Sequence, residues 1–251
     1  MDSNIILDKK PIGFTTIDMI NYIKNKYNLH GHKIGLAGKL DPLASGDMIF
    51  MVDDACKLMS DLTKLDKIYT FGLVLGISTD THDPMGLFTN VNFNYNHEQV
   101  NNDLYKFIDT LNNSNIEQPY PHYSSYLLKN NKGERQPLWW WAKNNRLDEI
   151  KIPTKNVNIY SIKIMNNIMM PIKDYIKEIK NDIRLITNNE FRQDEILNNW
   201  DSIIYNDNIT IYNIECYVSS GTYIRSLAQL IGDHIGVPCH AFRIHRTKII
   251  N

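Results

Sequence analysis

One stretch, Gly35-Leu36-Ala37-Gly38-Lys39-Leu40-Asp41-Pro42-Leu43-Ala44-Ser45-Gly46, limits what this chain can fold into more than any other. Its glycines break regular structure, and its single acid, Asp41, stands between an apolar residue and a proline. Leu40 and Pro42 take solvent away from the carboxylate, and Pro42 holds it in an extended or turn conformation. A chain folded around such a loop presents one carboxylate at the bottom of a pocket. Asp-Pro and glycine are also ordinary turn residues, so the loop alone reads equally well as a plain turn.

The flanking sequence alternates strand and helix signals. Residues 4–8 read as a short strand. Thr15 or Thr16 caps a predicted helix whose apolar face is Ile17, Ile20, Ile23 and Tyr27. An apolar run, Met48 to Val52, follows the Asp41 loop. Residues 67–77 read as a central strand, 97–110 as a helix, and 157–165 and 209–218 as further strands. Ile224, Leu227, Ala228 and Ile231 have helical spacing within 222–235. Strands and helices intermix, which predicts an α+β fold rather than a doubly wound sheet. Between the last two strands lies a helical insert of about 168–207. There Pro171 suits the first turn of a helix carrying Ile172, Tyr175, Ile176, Ile179 and Ile183. Ile196, Leu197, Trp200, Ile203 and Ile204 predict a second short helix. The insert reads first as a peripheral piece packed on the domain edge, and second as an arm for RNA or a partner; its acidic balance speaks against a phosphate-contacting face.

At 251 residues, with 43% hydrophobic and 22% charged side chains, the chain suits one large globular domain. No apolar run is long enough for a membrane span, and the N-terminus lacks the pattern of a secretory signal. Cys56, Cys216 and Cys239 are few and far apart, which predicts buried thiols in a reducing compartment, cytoplasm or nucleus. The net charge of −1 does not mark a nucleic-acid binder by bulk charge. Basic residues nevertheless collect at Arg243-Ile244-His245-Arg246-Thr247-Lys248 and near the N-terminus. Local positive faces of this kind suit modest, shape-led RNA affinity.

Six short motifs then occur in a fixed order: Lys10-Pro11-Ile12-Gly13; Gly38 to Gly46 around Leu40-Asp41-Pro42; Lys67-Ile68-Tyr69; Thr79-Asp80-Thr81-His82-Asp83 with Gly86; Gln118-Pro119 with Tyr123-Ser124-Ser125; and Gly221-Thr222-Tyr223-Ile224-Arg225. Together they resemble the TruB family of tRNA pseudouridine synthases, over roughly residues 5–165 and 209–249. The resemblance implies the pseudouridine synthase fold, a mixed and mostly antiparallel central sheet with flanking helices around a cleft. It implies an RNA-clamping segment at about 120–146, where Trp139-Trp140-Trp141 cannot share one helix face. One tryptophan should be exposed, with core packing for the other two. Members of the family usually continue into a small PUA domain; this chain, ending at Asn251, is expected to lack it.

By the same resemblance, Asp41 is the catalytic carboxylate, Arg225 its counter-ion, and Tyr69 the platform on which the base stacks. Tyr223 is a second pocket tyrosine, Asp80 organises the site through hydrogen bonds, and Lys10 meets a phosphate or pins the N-terminal loop. One position departs from the pattern: where the family has Gly-His, this chain has Gly35-Leu36. Leu36 fills space without hydrogen bonding, so altered RNA discrimination is expected rather than lost chemistry, with His30 and His32 as nearby substitutes.

The implied reaction breaks the N1–C1′ bond of a uridine, turns the uracil and rejoins it through C5. It needs no metal, nucleotide or redox cofactor, and both proposed routes require an ionised Asp41. His30-Gly31-His32 has no Cys or His partner at ligand spacing, and Gly35 to Lys39 has the wrong spacing for a phosphate loop. The expectation is a monomeric isomerase acting on uridine 55 in the T-stem-loop of tRNA, without membrane association. A synthase acting on another structured RNA, and a non-catalytic RNA-folding factor, are the alternatives.

Overall fold

The computed structural model describes residues 4–203 and 208–250. The chain runs β1 (Ile5–Lys10), α1 (Thr16–Lys26), β2 (Ile34–Ala37), β3 (Ser45–Val52), α2 (Met59–Thr63) and β4 (Asp66–Leu75). A small hairpin of β5 (Ile77–Thr79) and β6 (Phe88–Val91) leads to α3 (His97–Leu111) and β7 (Ser114–Pro119). A second hairpin, β8 (Leu127–Lys129) and β9 (Arg135–Pro137), precedes α4 (Leu138–Lys143). The last part holds β10 (Thr154–Pro171), α5 (Ile172–Arg184), α6 (Gln193–Asp201), β11 (Asn208–Val218), α7 (Ile224–Ile235) and β12 (Cys239–Ile250).

Eight strands form the main sheet in the order β1-β3-β12-β4-β11-β10-β7, with β2 paired to β3 outside this path. All pairs are antiparallel except β12 with β3. The α+β expectation with a mixed, mostly antiparallel sheet is therefore met. Period-two burial divides β4 between two cores. Tyr69, Phe71, Leu73 and Leu75 face one core, and Val74 faces the other. On the first face, α3 contributes Val100, Leu104, Ile108 and Leu111, and α7 contributes Ile224, Leu227, Ala228 and Ile231. On the second face, α5 and α6 bring Ile172, Tyr175, Ile179, Ile183, Ile196 and Trp200 onto Val74, Ile211 and Phe242. Each such aliphatic side chain removed from water stabilises the fold by about 1.5–3 kcal/mol. A sheet covered on both faces carries nearly continuous apolar strands at its centre, as β4 does.

Helix α1 is capped by Thr15, whose hydroxyl accepts from the Asp18 amide while Asp18 accepts the Thr15 amide, a capping box. Its buried face is Met19 and Ile23; Ile17 is 64% exposed and Tyr27 also faces outward, so the expected face is rotated. The cause is the surface that α1 covers: Met19 and Ile23 meet the core, whereas Ile17 stands at the cleft. Strand β10 runs past the expected boundary and pairs with β11 as far as Pro171–Asn208. The first residues assigned to the insert thus continue the sheet, and the helices come after them. Ile204, expected in the second helix, lies outside the described residues. The cationic tail is no free basic face either, because it forms the central strand β12. There Arg246 is buried and donates to the carbonyls of Asp47 and Gly38, and Arg243 pairs with Glu178 and Asp182 of α5.

Candidate active site

The Asp41 loop is both of the things its sequence allowed. Asp41 and Pro42 take the first two positions of a tight turn closed by the Ala44 amide on the Asp41 carbonyl, 3.0 Å. Leu40 is buried in the first core and Leu43 in the second, so the turn straddles the seam between them. Behind the turn, Gly46 adopts φ +112°, and a Cβ there would lie 2.1 Å from the Arg246 carbonyl oxygen. Only glycine allows β3 and β12 to approach this closely.

Lys10 closes the turn from below. Its ammonium donates to the carbonyls of Pro42 (2.9 Å), Ala44 (2.6 Å) and Pro11 (3.1 Å). Burial pulls its pKa down to about 8, the carboxylate of Asp41 working in the other direction. With its three donors on carbonyls, Lys10 pins the loop and does not face a phosphate, which corrects one of its two expected roles.

At the seam the structure opens a cleft of about 820 Å³. Asp41 reaches it with its side chain 42% exposed, whereas Arg225 at its side is 3% exposed. Arg225 Nε donates to Asp41 Oδ2 at 2.8 Å, Nη1 to the Thr81 carbonyl at 2.8 Å, and Nη2 to the Tyr123 carbonyl at 3.1 Å. Asp83 Oδ2 lies 3.7 Å from the same Nε. Burial opposes the guanidinium charge, but Asp41 and Asp83 outweigh it and hold the Arg225 pKa above its ordinary value. A cation in the first turn of α7 opposes the helix dipole, which fits a position chosen for the two carboxylates.

Asp83 is the site residue that sequence reasoning missed. Its carboxylate accepts from the Thr81 hydroxyl (2.6 Å) and the Met85 amide (2.9 Å). Burial pushes its pKa up to about 6; Arg225 pulls it back and Asp41 adds to the rise. The signal was present in Thr79-Asp80-Thr81-His82-Asp83, where two acids compete for one role. Asp80 instead stands behind the wall of the cleft, accepting from the Leu87 amide at 2.9 Å and from Arg192 at 3.0 Å. It organises the loop through hydrogen bonds but does not line the cleft. Gly86 makes this folding possible, because a Cβ there would lie 2.5 Å from both Asp80 Oδ1 and Thr81 Oγ1.

Tyr69, Tyr223 and Leu36 all line the cleft. Tyr69 is buried on β4, and burial raises its pKa. Tyr223 precedes α7, with its backbone held at both ends by the Gln118 amide side chain, 2.8 and 3.1 Å. Burial raises its hydroxyl pKa to about 12. His30 and His32 do not substitute for the expected histidine: both are exposed away from the cleft, and His32 is paired with Asp53 at 2.6 Å. Trp139 faces the cleft at 41% exposure while Trp141 is fully buried, as three adjacent tryptophans require. Trp140 is half-buried under the Arg146 guanidinium. Six basic side chains, Lys39, Lys67, Lys143, Arg192, Arg225 and Arg246, line the cleft against three acids, Asp41, Asp83 and Glu190. Lys67, Arg225 and Arg246 are buried and already engaged, so the cations that an anionic ligand meets at the mouth are the exposed Lys39 and Lys143. Among the described residues, no three His, Cys, Asp or Glu side chains converge as metal ligands do, and no helix is long and apolar enough to cross a membrane.

The insert does more than pack on the domain edge. Asn188, Glu190, Phe191 and Arg192, between α5 and α6, line the same cleft as Asp41. Arg192 lies over the Tyr123 ring, 4.6 Å from its centroid.

Residues 24–180 match the family profile described as "TruB family pseudouridylate synthase (N terminal domain)". The chain is 30% identical over 248 residues to the tRNA pseudouridine synthase B of Clostridioides difficile, covering 98% of this chain and 65% of the relative. Against the protein of the same name from Fusobacterium nucleatum, the identity is 30% over 246 residues, covering 98% and 67%. This chain therefore spans about two thirds of the length of these relatives. Among solved structures it is similar in fold to a chain of the crystal structure of a Cbf5-Nop10-Gar1 complex, with TM-score 0.54 and 19% identity. That likeness covers 98% of this chain and 48% of the other.

Proposed function

The chain belongs to the TruB family of pseudouridylate synthases, and from that membership we propose that it isomerises a uridine to pseudouridine in the T-loop of tRNA, at position 55. The observation that carries the reading is the Arg225–Asp41 pair, 2.8 Å apart at the base of a basic cleft. An ionised carboxylate in a partly dry pocket needs a nearby cation, and Arg225, itself buried and held by two carbonyls, supplies one in fixed geometry.

In this reading Asp41 is the catalytic carboxylate. Its exposed oxygen faces the ribose and base, while its partner oxygen stays on Arg225. Asp83 keeps Arg225 charged from behind. A uridine in a folded loop must first be everted, at a cost of a few kcal/mol. Stacking on an aromatic ring returns about 1–3 kcal/mol per base. Tyr69 is the ring assigned to this role, with Tyr223 and Leu36 shaping the rest of the pocket. Lys10 acts through the loop it pins, and Asp80 through the wall it stiffens. The protein works on tRNA as a monomer without metal or cofactor, and the exposed lysines of the cleft, Lys39 and Lys143, meet the phosphates of the T-arm.

Leu36 favours one other substrate reading, a different structured RNA, because an apolar group there cannot read the polar edge that a histidine would. Pseudouridine mapping on an unmodified tRNA transcript tests the proposal. Product confined to position 55 supports it. Product on other transcripts with none on tRNA would move the assignment to the second substrate, and RNA binding without product would leave a folding factor.

A further inference from the structure

None of the six matched motifs lies in the segment between α5 and α6, yet that segment reaches the cleft. Arg192 occupies the left-handed region at φ 59°, an unfavourable place for a side-chain-bearing residue. Contacts within the segment hold it there. The Asn188 side chain accepts from the Glu190 amide, the Gln193 side chain accepts from the Phe191 amide, and it donates to the Asn188 carbonyl. The guanidinium leaves the segment altogether. Its Nη2 donates to both oxygens of Asp80, at 3.0 and 3.3 Å, and its guanidinium carbon lies over the Tyr123 ring, 4.6 Å from the centroid. Two further ties fix α6 to the same loop: Trp200 donates to the Pro84 carbonyl at 3.0 Å, and the Phe88 amide donates to Asn199 at 2.8 Å.

The residues that Arg192 grips are the ones that hold Arg225. Asp80 is joined directly to Thr81, whose carbonyl receives Nη1 of Arg225. Tyr123 offers its ring to Arg192 and its carbonyl to Nη2 of Arg225. We propose that Arg192 is a positioning residue for Arg225: from the insert it fixes the two carbonyls that aim the Arg225 guanidinium at Asp41. The inference deepens the isomerase reading and rests on it for its kinetic consequence, but its structural part stands apart from it. With one donor group already on Asp80 and its guanidinium over the Tyr123 ring, Arg192 is a strut of the pocket wall. Loss of a strut affects the reacting geometry more than it affects the hold on RNA.

The test compares R192Q, R192K and K180A with the wild type. Lys180 pairs with Asp201 inside the insert and is remote from the cleft lining, so K180A reports general loosening of the insert. In protein labelled with ¹⁵N-arginine, the Arg225 Nε–H signal should be sharp and slow to exchange in the wild type and in K180A. It should broaden and exchange faster in R192Q. Under single turnover at saturating tRNA transcript, R192Q should lose about 10- to 100-fold in rate, as expected for a small misplacement of reacting groups, with RNA affinity unchanged. R192K keeps a charge for Asp80 without the guanidinium over the Tyr123 ring, and should recover part of the rate. An unaltered Arg225 signal in R192Q overturns the inference whether or not the protein makes pseudouridine. So does a variant that binds RNA less tightly but reacts at the full rate, which would make Arg192 a substrate contact. If the wild type converts no RNA, the isomerase reading fails, and the Arg225 signal alone decides the positioning claim.

Discussion

Two arginines line the cleft, one from α7 and one from the insert, and each holds a carboxylate. Arg225 is 3% exposed, sits between Asp41 and Asp83, and is fixed by two backbone carbonyls. Arg192 is 18% exposed, faces Asp80 alone among the described acids, and leans on a tyrosine ring. The difference is one of replaceability. A buried guanidinium between two acids cannot be removed without leaving charge in a dry place. The Arg192–Asp80 pair is partly exposed, so water offers an alternative partner and its own contribution to stability is smaller.

Replacing Arg225 by Met gives the sharpest contrast. R225M leaves Asp83 buried without its cation and should lose about 3–5 kcal/mol of unfolding free energy. It should also reduce pseudouridine formation to background. Adding D83N to R225M should return much of the stability but none of the activity, because the stranded charge is gone and the counter-ion of Asp41 is still missing. R192Q, measured by the same urea titration, should stay within about 1 kcal/mol of the wild type. Equal stability losses in R225M and R192Q would erase the distinction.

The next effect concerns the surface by which the insert joins the sheet. His240 on β12 is fully buried between the Ile77 carbonyl, 2.8 Å from Nδ1, and the Tyr175 hydroxyl of α5. A carbonyl only accepts, so Nδ1 carries the proton and Nε2 receives the tyrosine hydroxyl; the ring is neutral. Burial pulls its pKa from 6.5 down to about 4. A base with a lowered folded pKa gives stability that is complete above about pH 6.5 and is lost as the pH falls toward 4, here about 3 kcal/mol. Burial, and after it the charge of Arg225, lowers His82 in the same direction, also to about 4. Unfolding midpoints at about pH 7 and about pH 4.5 should differ less in H240N than in the wild type. An identical pH dependence in both would show that this junction does not titrate.

The same two regions show how much was legible in the sequence. The Arg225–Asp41 pairing joins residues 184 positions apart, yet it could be expected because both lie in recognisable motifs. The strands β1, β4, β10 and β11 and the helices α3, α5 and α7 were legible in the hydrophobic patterning, whereas β2, the strands β5 to β9 and the central strand β12 were not, β12 because its charges read as a basic tail. Asp83 was passed over for Asp80 because spacing cannot tell which of two neighbouring acids turns inward; the tight approach at Gly86 decides it. Arg192 was invisible, since a cation in an acidic, polar segment reads as a solvated face. Its contact depends on a left-handed backbone and on where α6 docks, both set by tertiary packing. The register of α1 failed for the same reason: Ile17 is apolar but its neighbour is the cleft. Lys10 was ambiguous because a motif lysine has the same side chain whether it meets a phosphate or three carbonyls.

The smallest expected effect is at Leu36, on the wall of the cleft. L36H should change the ratio of turnover on tRNA to turnover on other structured transcripts, within about tenfold, with little change in stability. If the ratio is unaltered, the position does not read RNA.

Tritium release from RNA labelled at C5 of uridine tests the central claim most directly, because rejoining the base through C5 displaces the hydrogen there. Wild-type protein should release tritium from an unmodified tRNA transcript, and D41N, folded and binding the same RNA, should release none above the enzyme-free background. Equal release by D41N and wild type would contradict the assignment of Asp41 as the carboxylate of this isomerase.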